Sequence, residues 1–261
     1  MARPKTNSEF VKQTIVEFIA DRNASILVCG SAQSEREILR DLGYKNVTFT
    51  GMDMRDKVNL GIVSKFENVE DLSYGSDAFD YAIIKDVIHH TSLPHKAITE
   101  LFRVSRKGFL VFEGRDSFLI RAASKIGLTE QFEVAGNFNG HGVNGTDIPN
   151  FIFRWTEREV EKTLKSYAPQ FNHFVSYRYY SNYPNGHGFR PLGKLLIKIL
   201  RPAYSLLISA LPKQQNIMAF FVLKPKSPDN LKPWLSHSPE SDEITVNRDW
   251  IRRAYRKKLS R

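Results

Sequence analysis

The chain has 261 residues, 41% hydrophobic and 12% aromatic, with one cysteine and a formal net charge of +10. These figures suit one α/β domain with an insertion, or two small domains; the lone Cys29 excludes a disulfide scaffold and fits a reducing compartment. Residues 187–261 hold 15 Lys+Arg against 5 Asp+Glu, which is the whole excess, so a basic tail follows a neutral body. Such a tail is either solvated or faces an acidic partner, anionic lipid or nucleic acid.

No apolar run follows the short basic N-terminus, so no signal peptide is expected and a cytoplasmic protein is the default. Apolar residues at 11, 15, 16, 18 and 19 predict a helix over 8–21. "ILVCG" (26–30) reads as a short buried strand, and Glu35 to Leu42 as a helix ending on Gly43 in a left-handed C-cap. "VTFTGMD" (47–53), "DYAIIKD" (80–86) and "GFLVFEG" (108–114) read as further strands. Between the last two, a helix over 94–105 is opened by Thr91 or Ser92. Thr156 and Glu159 predict a capping box, with Trp155 and Val160 as its hydrophobic staple. "FNHFVSYRYY" and "NIMAFFVLK" predict two more strands. From Ser227 onward the chain is polar and reads as a loosely ordered basic tail with one basic helix.

The opening turn, Gly30-Ser31-Ala32-Gln33-Ser34, stands where a nucleotide-binding βα unit would carry further glycines. Its Ala and Ser are small enough to let backbone approach a ligand, whereas a dinucleotide would want G-x-G-x-x-G, and that absence argues against an oxidoreductase.

The stretch from Asn68 to Gly114 resembles the middle of class I S-adenosylmethionine-dependent methyltransferases. The resemblance is carried by Asp71-Leu72, Phe79-Asp80, Ile88-His89-His90, Ala97 with Glu100, Arg103 and Val104, and Lys107-Gly108, and with its flanking strands extends over about 24–180. It implies an α/β, Rossmann-like doubly wound fold: a mostly parallel seven-stranded sheet, helices on both faces, and a helical insertion at about 186–213 before the last strand. Residues 1–226 would form this domain and 227–261 the tail. The implied cofactor is S-adenosyl-L-methionine, held by Gly30, Ser31 and Ala32 in the turn, Asp53 at the ribose hydroxyls, Asn68 and Val69 at adenine, and Lys85 at the methionine carboxylate. Asn68 departs from the usual Asp, and the Gly-Ala-Ser turn from three glycines.

His89 and His90 follow the fourth strand, at the sheet edge where open α/β folds bind ligands, and suit proton removal from an acceptor hydroxyl near neutral pH. The same pair equally suits packing against the next helix. Glu113, with Arg115 and Asp116, is expected to face the cleft from the next strand, and His141 to sit on a loop over the acceptor. No Cys/His spacing points to a metal.

"LGKLLIKILRPAYSLLISAL" (192–211) is too interrupted by Lys194, Lys198, Arg201 and Pro202 to span a bilayer. Its cations share one helix face, which suits peripheral contact with an anionic membrane surface at the inner face of the membrane, or a lid over the cleft. "RWTEREVEKTLKSYAP" and "FEGRDSFLIRAASKIG" are similar to bacterial methyltransferases associated with surface-polysaccharide biosynthesis. The reading is therefore O-methylation of a small-molecule, glycan or lipid-linked cell-envelope acceptor. A cofactor-binding but inactive subunit and an RNA methyltransferase are the alternatives, and no recognisable RNA-binding module supports the latter.

Overall fold

The computed structural model describes residues 4–30, 33–51, 65–134, 142–181, 191–225, 230–241 and 243–259. In chain order the sheet and its cover run α1 (Asn7–Phe18), β1 (Ile26–Cys29), α2 (Gln33–Asp41), β2 (Val47–Gly51), β3 (Lys65–Phe66) and β4 (Phe79–Lys85). These are followed by α3 (Pro94–Val104), β5 (Ser105–Gly114), α4 (Phe118–Lys125), α5 (Glu157–Tyr167), β6 (Phe174–Tyr180), α6 (Pro191–Ala210) and β7 (Ile217–Leu223). Among the described residues the main sheet has seven strands in the order β3-β2-β1-β4-β5-β7-β6. The first five run parallel; β7 is antiparallel to both β5 and β6.

Strands buried on both faces explain the continuous apolar runs "ILVC" and "FLVF". Because side chains alternate along a strand, each run feeds two cores. Leu27, Cys29, Ala82, Ile84, Phe109 and Val111 join Leu101, Val160 and Leu164 under α3 and α5. Ile26, Val28, Ile83, Leu110 and Phe112 instead join Phe10, Val11, Ile15 and Leu39 under α1 and α2. The alternation also aims Glu113, two residues past Val111, toward the α3 side of the sheet.

Local signals act largely as the sequence predicts. The capping box is present, with Thr156 Oγ1 accepting from the Glu159 amide and the Glu159 carboxylate accepting from the Thr156 amide. Gly43 closes α2 at φ +80°. The start of α3 differs. Neither Thr91 nor Ser92 caps it; Leu93 is the N-cap and Pro94 the first turn. Thr91 Oγ1 instead donates to Ile88 O, 2.7 Å away, and the Ser92 hydroxyl and Leu93 amide donate to Glu70 Oε1.

The tail also differs from the loosely ordered segment expected. β8 (Leu235–Ser238) and β9 (Glu243–Val246) form an antiparallel hairpin, followed by α7 (Arg248–Ala254) and α8 (Arg256–Leu259). Local hydrogen bonds give the reason. The Asn172 amide donates to Asn230 O, the Lys232 amide to Gln170 O and Lys232 Nζ to Asn172 Oδ1, fixing the start of the tail against the turn after α5. The Trp234 and Trp250 rings then meet at 5.9 Å.

Candidate active site

The carboxyl edge of the parallel strands gathers the turn after β1, the segment 67–74 after β3, a short 3-10 turn Ile88–His90 after β4, and the end of β5. Gly30 makes the first turn at φ +64°, and a Cβ built there would stand 2.5 Å from Val87 Cγ2. The bend is tight because Val87, from the next strand's end, lies directly against it. Ser31, Ala32, Asp53 and His141 lie outside the described residues.

The motif residues of α3 hold the second segment. Arg103 donates to Tyr74 O, Leu72 O and the Glu100 carboxylate, and Glu100 Oε2 accepts from the Leu72 amide. Glu67 accepts from the Ser73 amide and hydroxyl. Thus clamped, Asn68 and Val69 line a cavity of about 270 Å³ together with Phe66, Glu67, Thr91 and Asn144. Asn68 Oδ1 accepts from the Glu70 amide at 2.9 Å, so the side chain is held at the wall, and a carbonyl oxygen has a second lone pair for an amine. A sharp bend with no room for a Cβ and a walled cavity lined by Asn68 fit an adenosyl group that carries no phosphate.

Lys85 is not the open cation expected at this edge. Its ammonium stands 2.7 Å from Asp86 Oδ2 and 3.2 Å from Glu35 Oε1. Burial alone would lower its pKa, but the two carboxylates outweigh that and raise it. A ligand carboxylate would have to compete with both. Asp86 itself sits at φ +52°, a left-handed conformation for a non-glycine residue, and such backbone often marks a functional turn. Cys29 is buried, which pushes its thiol up to about 12 and leaves it unreactive.

Glu113 does not face the cleft. It is fully buried, and its Oε1 accepts from the Val87 amide at 3.0 Å and the Ile88 amide at 2.7 Å. Its Oε2 lies 2.8 Å from His89 Nδ1. Burial would raise this carboxyl, but the His89 charge, its hydrogen bond and the two amides hold it below its ordinary value. For His89, burial favours the neutral ring, and Glu113, Glu133 and Asp86 outweigh it, carrying the imidazole up to about 9. Glu113 is therefore a positioning residue, and its carboxylate favours the protonated ring of His89 over the free base expected. Arg115 and Asp116 are engaged elsewhere, with Glu157 and Arg121 respectively.

Two residues that sequence reasoning missed complete the group. An isolated bridge between Phe132 and Phe151, with the Glu133 amide donating to Asn150 O, lays residues 131–134 against 150–152. This brings Glu133 Oε2 to 3.8 Å from His89 Nε2 and 3.6 Å from His90 Nε2. Asn150 Nδ2 donates to Glu133 Oε2 and to His89 O. Around this cluster stand exposed apolar side chains: Phe132, Val134, Ile148 and Phe151 are each at least half exposed.

Residues 28–112 match the family described as "Methyltransferase domain". No curated protein matches the sequence. Among solved structures, the YcgJ protein from Bacillus subtilis is similar at 11% identity and TM-score 0.51, over 84% of this chain and 98% of that one. A SAM dependent methyltransferase from Archaeoglobus fulgidus is similar at 10% identity and TM-score 0.50, over 84% and 96%. At such identity the two likenesses show the fold: a mainly parallel sheet flanked by helices, Rossmann-like as in class I methyltransferases.

Proposed function

We propose that the chain, of which residues 28–112 match a methyltransferase domain, is an S-adenosylmethionine-dependent methyltransferase that methylates a hydroxyl oxygen of an acceptor with an apolar part, a glycan or lipid-linked cell-envelope molecule. One observation carries the choice: the polar group His89, His90 and Glu133 is flanked by the exposed Phe132, Val134, Ile148 and Phe151. Large exposed apolar groups around a polar centre suit a ligand with an apolar body and one reacting polar group.

When bound, S-adenosylmethionine supplies an electrophilic methyl; the oxygen–carbon bond forms as the sulfur–carbon bond breaks, releasing S-adenosylhomocysteine and the hydroxyl's proton. The chain's own part is alignment, which can contribute several kcal/mol. Glu113 fixes the Nδ1 edge of His89, so Nε2 points toward Glu133. Glu133 is the most exposed of the three, with a side chain 34% accessible against 12% and 15% for the histidines, and is the group placed to meet the acceptor's hydroxyl, whose proton leaves to solvent. The Gly30 bend, Asn68, Val69 and, by resemblance, Asp53 hold the adenosyl half.

In the same proposal α6 rests on an anionic membrane surface. Leu195, Ile199, Leu200, Leu206 and Leu207 are exposed along it beside Lys198 and Arg201. No helix among the described residues is long and apolar enough to cross a membrane, which leaves contact in the interface plane as this helix's route to lipid.

Three measurements test the proposal. Titration calorimetry with S-adenosylhomocysteine should show binding, and no heat at millimolar ligand would leave a cofactor-free subunit. Transfer of a tritiated methyl should then label a lipid-linked glycan fraction over bulk RNA; the reverse ranking overturns the acceptor assignment. For the membrane part, the protein should sediment with vesicles containing phosphatidylglycerol, and the Lys198→Glu, Ile199→Asp variant should not.

A further inference from the structure

We propose that His89, His90 and Glu133 form a binding site for one divalent cation of the manganese-to-zinc series, which takes the acceptor's hydroxyl oxygen as a further ligand. The inference rests on the methyltransferase reading and deepens it by naming what holds the acceptor. One donor atom from each of the three side chains lies within 4.8 Å of the others. The Nε2-to-Oε2 separations of 3.6 and 3.8 Å are too long for hydrogen bonds. They are close to the spacing of two ligands sharing one cation, since metal–ligand bonds of roughly 2.0–2.2 Å place neighbouring ligands somewhat over 3 Å apart. A closure of a few tenths of an ångström brings Glu133 into range of a cation shared with either ring.

Two imidazoles and one carboxylate are a donor set for divalent first-row metals, and three protein ligands leave positions open. The surroundings are built as a metal's outer ligands are. Buried Glu113 holds His89 Nδ1 at 2.8 Å and is itself fixed by two backbone amides, which sets the direction of Nε2. Asn150, 2% exposed, ties the carboxylate of Glu133 to the backbone of His89. Its Oδ1 is buried with no hydrogen-bond partner among the described residues, leaving an acceptor for the proton of a cation-bound water or hydroxyl. An ordinary ion-pair network would close Glu133 onto an imidazole; here it stands nearly equidistant from both.

The test uses the full chain, treated with chelator and desalted, then titrated with Co²⁺ by visible absorption and with Mn²⁺ and Zn²⁺ by calorimetry. One equivalent should bind. Glu133→Gln and His90→Ala should each weaken binding about tenfold or more, and Glu113→Gln, acting through His89, by about 10–100-fold. Far-UV circular dichroism and S-adenosylhomocysteine binding are recorded for each variant. Should His90→Ala not fold, Glu133→Gln decides alone, since its side chain is the most exposed of the trio. No saturable binding at millimolar metal, or wild-type affinity in folded Glu133→Gln, overturns the site. If chelated protein still binds S-adenosylhomocysteine while metal does not bind, the site falls and the methyltransferase reading stands. Loss of S-adenosylhomocysteine binding by wild-type protein with metal present would overturn both.

Discussion

The bend at Gly30 makes a quantitative claim about how this edge of the sheet is assembled. Gly30→Ala faces two separate costs. An alanine held at φ +64° costs about 1–2 kcal/mol. Its Cβ would also stand 2.5 and 2.9 Å from the two Val87 Cγ atoms, and overpacking of that kind costs about 1–3 kcal/mol. Together they predict a loss of about 2–5 kcal/mol. The costs separate in a Val87→Ala background. That change alone removes two buried methyl groups and costs about 2 kcal/mol. It leaves only Val87 Cβ facing the new methyl, at 3.3 Å, a tight but tolerable approach. Gly30→Ala should then cost only its conformational part, about 1–2 kcal/mol. The double mutant should therefore be more stable than additivity predicts by about 1–3 kcal/mol. Urea unfolding followed by circular dichroism gives the four stabilities. If Gly30→Ala costs the same in both backgrounds, Val87 does not close the bend, and the account of this turn is wrong.

Two further predictions concern buried carboxylates. Glu113→Gln leaves an oxygen for the Val87 and Ile88 amides but removes the charge beside His89. Breaking a buried pair costs about 3–5 kcal/mol, here near 3, or roughly 6–12 °C in melting temperature for a chain this size. Measured in chelator, the loss should fall to about 1 kcal/mol in a His89→Ala background; equal losses in both backgrounds would show that the pair is not coupled. Asp80 lies at the opposite edge, where Ser25, Arg106 and Lys107 surround it. Burial would raise its carboxyl, but those partners outweigh it and hold it well below the usual carboxylate range. A depressed folded-state pKa gives stability that is present above the unfolded value, about 3.9, and lost as pH falls toward the folded one. The stability gap between wild type and Asp80→Asn should therefore be level from pH 7 to 5 and shrink below about pH 4. A gap unchanged at pH 3 would contradict the linkage.

What was legible in the sequence follows from how far apart the interacting residues are. The strands and their two-faced burial are local patterns, so "ILVC" and "FLVF" announce them. The capping box spans three residues and acts as predicted. The start of α3 differs from its local signal because Glu70, 23 residues upstream of Leu93, takes the Ser92 hydroxyl and the Leu93 amide, while the Thr91 hydroxyl turns back to Ile88 O. The neutralisation of Lys85 was half visible: Asp86 is its neighbour, but Glu35 arrives from α2. Ending a strand suggests a place in the cleft for Glu113. Only the fold of the Val87–His89 turn over it makes it a buried acceptor.

The motif residues that carried the family resemblance mostly secure the frame. Asp80 joins β1 to β4, and Glu100 and Arg103 hold the loop that carries Asn68 and Val69. That is why the matched span, 28–112, points to a methyltransferase domain and says little of the acceptor. In the proposed reading the acceptor side is built by Glu133 and Asn150, which one bridge between Phe132 and Phe151 brings beside the two histidines. Neither residue belongs to a periodic pattern, and neither spacing resembles a metal motif. His89 and His90 are more than 40 positions away from both, so no local pattern joins the four residues. Substrate choice in such a fold is therefore to be sought where an irregular segment returns a polar side chain to the histidines.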